Sequence, residues 1–186
     1  VEDLRAAADA VHRLAARDER VQQADLVFVA DAVAVPLGPD RLLAVGLGAE
    51  TQSSSPFRVS EITIAELHAA LRANRTTCRK VVEQYLQRIH AYDKRGAAIN
   101  SIIQVNPRAL AIADELDHRY DQNGVTGPLH CVTVVVKDNF ETVDMPTSAG
   151  SLSLKGMVTG KDAFVVKRLR DSGAVIIAKA NMHEFA

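Results

Sequence analysis

Val132–Val136, in CVTVVVKDN (131–139), and Ala174–Ala178, in AVIIAKA (174–180), are the two stretches that decide the fold. In each, four or five β-prone residues follow one another without polar alternation, the pattern of a strand covered on both faces. Between them AFVVKRLRDS, 163–172, reads as a helix. Asp162 is expected to cap it, Phe164, Val165 and Leu169 to face a core, and Gly173 to end it. Strand, helix-bearing connection and strand make a crossover unit, so the two strands are expected to run parallel, adjacent or not.

Upstream, from about Ser60 to Gly124, the chain reads as helical. Thr63 with Glu66 three residues on fits a capping box, and Ile64, Leu67, Ala70 and Leu71 repeat at helical spacing. Thr77 is placed to cap a second helix carrying Val81, Val82, Tyr85, Leu86 and Ile89. A third follows Asn106-Pro107, with the proline suited to the first turn and Leu110, Ile112, Ala113 and Leu116 on its apolar side. Further out, residues 1–50 read as an appendage, a helix with Leu4, Val11 and Leu14 on one stripe and then a β-hairpin. The polar run around Thr51–Pro56 reads as a linker over residues 51–57.

The composition narrows the function classes. Twenty-two basic against 23 acidic residues, a net charge of -1, give no electrostatic reason to expect nucleic acid. Aromatics are 4% of the chain, with no Trp, poor material for stacking bases. No apolar run approaches the roughly 20 residues of a membrane-spanning helix. Two cysteines, Cys78 and Cys131, make neither a disulfide framework nor a four-thiolate zinc site, and their scarcity leans towards an intracellular compartment.

Lys137 is the residue that stands out. A lysine at the end of a covered strand is costly to hold charged, and burial is how a lysine becomes a base near neutral pH. The competing reading is that Lys137 marks the point where the strand meets solvent, paired with Asp138. Other motifs fail. Gly156–Lys161 imitates a phosphate loop but has three residues between its glycines, and Asp162 stands where Ser or Thr must hold magnesium. Gly46-Leu47-Gly48 lacks a third glycine, and His183-Glu184 lacks the second His of a zinc helix, so no metal site is expected. His130 and Cys131, as strand neighbours, point to opposite faces and are read as structural. The run DMPTSAGS, Asp144 to Ser151, is either a pocket-lining loop or an ordinary self-bonded turn.

GPLHCVTVVVKDNFETVDMPTSAGS (127–151) followed by DAFVVKRLRDSGAVIIAKANMHEFA (162–186) resembles the first half of an enzyme of the amidase signature family. ITIAELHAALRANRTTCRKVVEQYLQRIHAYD (62–93) and INSIIQVNPRALAIADELD (99–117) fit the same family in order and spacing. The resemblance covers about residues 58–186 and none of residues 1–50. It implies an α/β fold, a mixed sheet enclosed by helices, of which this chain supplies the N-terminal portion. It also implies cleavage of a carboxylic amide C–N bond by a Ser–Ser–Lys triad without a cofactor.

The lysine of that triad maps onto Lys137, and Phe185 and Ala186 fall near the edge of the substrate pocket. Two departures accompany the match. Cys131 and Thr133 replace a usual Gly and Pro, the cysteine as a small apolar substitute. The family's serine-bearing stretch would follow Ala186, and Ser148, Ser151 and Ser153 belong to a different motif. The implied partners are therefore a small-molecule amide and a C-terminal polypeptide carrying both serines, with this chain inactive alone. The alternatives are a noncatalytic piece of a split assembly and a small ligand-binding α/β domain using the DMPTSAGS loop.

Overall fold

The computed structural model describes residues 56–183. The expected appendage, residues 51–55 of the expected linker, and Phe185 and Ala186 lie outside the described residues.

Two short helices come first, α1 (Ile64–Arg72) and α2 (Cys78–Arg88). Thr63 and Glu66 form the reciprocal capping box read from their spacing: the Glu66 N–H donates to the Thr63 hydroxyl and the Thr63 N–H to the Glu66 carboxylate. The Thr77 hydroxyl caps α2 by accepting from the Lys80 N–H, and Asp117 accepts from the Cys78 and Arg79 N–H groups at 2.6 and 2.9 Å. The first three N–H groups of α2 are thus all satisfied, two of them from another helix. Helix α2 runs into a π-helical turn, Ile89–Asp93, closed by the buried Asp93 carboxylate on the Ser101 and Ile102 N–H groups. Helix α3 (Ala109–Asn123) buries Ala109, Ala113 and Leu116. Its start lies two residues beyond Pro107, which sits in the turn ahead of the Arg108 N-cap instead of in the first helical turn.

The sheet has three strands in the order β1-β3-β2: β1 (Ile102–Val105), β2 (Thr133–Lys137) and β3 (Val175–Ala180). Strands β2 and β3 pair in parallel and are direct neighbours. Strand β1 corrects the all-helical reading of residues 60–124, since it pairs antiparallel with β3. A four-residue stretch with three apolar side chains, Ile102, Ile103 and Val105, suits a helix or a strand equally, and the open edge of β3 decides the matter here.

Both faces of β2 and β3 are covered, as the uninterrupted runs require. Val135, Val175 and Ile177 pack with α1, α2 and α3 in one cluster; Val134, Val136 and Ile176 pack with α4 (Phe164–Asp171) in the other. Full burial of each such side chain contributes about 1.5–3 kcal/mol. Helix α4 departs from its expected details. Val166 and Leu169 are its buried residues, while Phe164 is 45% exposed. Asp162 is not its cap: Ala163 is, without a side-chain bond, because the Asp162 carboxylate is taken by the Val143 N–H and by Arg170. The stop at Gly173 stands. Its φ of +93° and a His130 Cα only 2.9 Å from where a Cβ would lie both demand glycine.

Cys131 has a different use from the apolar filler expected of it. It forms a disulfide with Cys78 across 53 residues of sequence, tying the start of α2 to the turn that leads into β2. His130 points elsewhere, stacked on Tyr120 with its Nδ1 bonded to the Thr126 hydroxyl.

Candidate active site

Strand β2 delivers Lys137 to its C-terminal end, where the side chain is half-buried. The register places Lys137 opposite Ala180, and the next N–H, that of Asp138, donates to the Ala180 carbonyl at 3.2 Å. Alternation puts Lys137 on the face of Val135, the side covered by α1, α2 and α3. Its backbone is thus held by a central strand up to and beyond the residue itself.

Asp138, by contrast, is buried and committed. Its carboxylate accepts from the Ser148 N–H at 3.0 Å and from the Ser148 hydroxyl at 2.5 Å, and its carbonyl accepts from the Ala149 N–H. The DMPTSAGS run is therefore fastened to the end of β2 and not merely self-bonded, although Thr147 also donates to the nearby Phe140 carbonyl. Ser148 serves Asp138, and Ser151 and Ser153 bond to each other at 2.9 Å.

The lysine most completely removed from water is Lys179 of β3, with 0% of its surface exposed. It is the ladder partner of Val136, so it lies on the opposite face from Lys137. Its ammonium donates to the Pro146 carbonyl at 2.7 Å and to the Thr147 hydroxyl at 2.5 Å, and it stands 3.7 Å from the Asp138 carboxylate. Burial pushes its pKa down, against the pull of Asp138 and, further off, Asp144 and Glu141. The network continues outward. Asp144 is bridged by Arg170 of α4 and by Asn106, whose amide also donates to the Ile176 carbonyl.

In sequence, Lys137 stands out for desolvation, whereas Lys179 passes unnoticed and Asp138 figures only as the surface partner of Lys137 in the competing reading. A signal for Lys179 is nonetheless present in AVIIAKA, where a lysine interrupts a covered strand instead of ending it. Lys161, in the imitation of a phosphate loop, pairs with Glu141 at 3.5 Å. Among the described residues, one trio could approach a metal ion, Cys78, Asp117 and Cys131, but its sulfurs are joined and its carboxylate already caps α2. No helix among the described residues is long and apolar enough to cross a membrane.

Comparison with known proteins identifies the setting of this geometry. Residues 80–186 match the family model described as Amidase. Over 148 residues the chain is 39% identical to a probable amidase of Arabidopsis thaliana, covering 78% of this chain and 28% of that protein. It is 34% identical over 143 residues to the mandelamide hydrolase of Pseudomonas putida, covering 76% of this chain and 27% of that one. The solved peptide amidase of Stenotrophomonas maltophilia superposes with a TM-score of 0.64 at 41% identity, over 66% of this chain and 25% of its own. The chain thus spans about a quarter of the length of the relatives it matches. Its sequence and its mixed α/β fold agree, and the chain belongs to the amidase family.

Proposed function

We propose that the full-length protein cleaves a carboxylic amide C–N bond through a Ser–Ser–Lys triad in which Lys137 is the terminal base. The observation that carries this reading is the placement of Lys137. It ends a parallel strand covered on both faces, with the following N–H bonded into β3 and the following carboxylate bonded to the DMPTSAGS loop. A base must be held at hydrogen-bond reach, about 2.6–3.2 Å, from its proton donor, and a side chain mounted on a strand that is bonded on both sides of it is suited to that.

In the proposed reaction the uncharged Lys137 amine takes a proton from a bridging serine. That serine takes the proton of a second serine, whose oxygen attacks the amide carbonyl. The tetrahedral intermediate expels the amine, which leaves with the proton returned through the same relay, and water then resolves the acyl-enzyme. Both serines belong to polypeptide beyond residue 186, so residues 58–186 act as the lysine-bearing portion of a larger domain. Residues 1–50 are an appendage joined to it by a linker over residues 51–57. Phe185 and Ala186 stand at the edge of the pocket. The nucleophile and oxyanion donors supply most of the barrier lowering, so the 186-residue chain by itself is inactive.

Lys137→Ala in the full-length protein is expected to lower amide turnover by about 1,000-fold or more with the fold retained. Turnover within about tenfold of the parent, a barrier change of only about 1.4 kcal/mol, refutes the role.

A further inference from the structure

Two lysines lie one ladder position apart on β2 and β3, on opposite faces of the sheet, and one carboxylate stands between their roles. Asp138 directly follows Lys137 and is buried. An uncompensated carboxylate at that position would draw a proton onto any amine nearby and would pull the Lys137 backbone towards water. The structure supplies compensation from behind the sheet, where the Lys179 ammonium sits 3.7 Å from Asp138 with no exposed surface. The same ammonium is bonded to Pro146 and Thr147, and Ser148 completes the Asp138 shell.

We infer that Lys179 is a positioning residue for Lys137: it neutralises Asp138 at the end of β2, so that Lys137 is presented in a locally neutral surrounding. Lys179 touches no reacting atom and acts through Asp138. The charged groups around Lys179 support this assignment. Asp144 is paired with Arg170, Glu141 with Lys161, and Asp162 with Arg170, which leaves Asp138 as the carboxylate matched to Lys179. Three oxygen partners hold the buried ammonium on the covered strand, one of them the Asp138 carboxylate.

The inference rests on Lys137 being the base, and a double-mutant cycle in the full-length protein separates the two claims. The probe is a serine-reactive fluorophosphonate, whose inactivation rate reports nucleophile activation and whose half-saturating concentration reports binding. Asp138→Asn and Lys179→Met are each expected to lower the maximal inactivation rate by about 30-fold or more, with half-saturation changed less than about threefold. The double variant replaces a charge pair by neutral groups, and Asn can still bond Ser148. It is expected to recover to within about tenfold of the parent. Additive losses, or a double variant slower than Asp138→Asn, overturn the proposal. If Lys179→Met is recovered only unfolded, Asp138→Asn against the double variant still decides by the same criterion. Lys137→Ala is run alongside: labelling at the parental rate brings down the base assignment itself, whereas an inert Lys137→Ala with an additive cycle removes only the role of Lys179.

Discussion

His130 shows how a single side chain acquires a property that its neighbours in sequence do not confer. It is fully buried, stacks on Tyr120 with centroids 5.6 Å apart, and its carbonyl accepts from the His68 Nε2 at 3.0 Å. Burial pushes the pKa of His130 down, and the neighbouring His68 adds to the effect. His68 is also lowered, chiefly by burial and against its bond to the His130 carbonyl. The unfolded chain therefore binds more protons than the folded one at pH values below the ordinary histidine pKa of about 6.5. The contribution of these two histidines to stability is complete above that value and is lost as pH falls through it towards the lowered folded values. The melting temperature is expected to drop between pH 7.5 and 5.5, and the drop to shrink in His130→Gln. A variant as acid-sensitive as the parent over that interval would count against the histidine pair. At the α1 N-terminus, Thr63→Ala removes the acceptor of the Glu66 N–H and is expected to cost about 1 kcal/mol in denaturant unfolding. An unchanged midpoint would show the cap to be dispensable.

Between elements, the disulfide and the Asp117 carboxylate act at the same place. Both hold the beginning of α2, one against the turn before β2 and one against α3. The cross-link closes a 53-residue interval, for which the loss of unfolded-state entropy corresponds to about 4 kcal/mol. Reduction, or the Cys78→Ala/Cys131→Ala pair, is expected to lower stability by a sizeable part of that amount. The oxidised protein should also yield no alkylated thiol before reductant is added. Full alkylation without reductant would show the bridge to be absent in solution. The cysteine count alone argued only against a disulfide framework; a lone pair 53 residues apart gives no sign that α2 and the β2 turn will meet.

Taken whole, the described residues form a sheet whose outer strands, β1 and β2, each pair on one side with β3. Ile103 and Val105 of β1, Val158 and Phe164 are exposed apolar side chains, and Leu152 is 87% exposed. Unpaired edges and exposed apolar side chains invite association. The isolated 186-residue chain is expected to scatter light increasingly with concentration and to unfold irreversibly, whereas a sharp, reversible monomeric transition would contradict this. Several features could be read from sequence because their causes are local. The Thr63 box and the Thr77 cap depend on residues three apart, the Gly173 stop on one backbone torsion, and the two covered strands on runs without alternation. The position of Lys137 at the end of β2 was legible for the same reason, as the first charge after such a run. Other features depended on what a distant segment brings. IIQV became a strand because β3 had a free edge, and Asp162 left its helix because Arg170 and the Val143 N–H compete for it. Cys131 meets Cys78 because α2 packs on the sheet. Lys179 became the buried lysine because Asp138, Pro146 and Thr147 converge on it from the end of β2 and the following loop, and the desolvation of a charge is set by everything around it, which no stretch of neighbouring residues specifies.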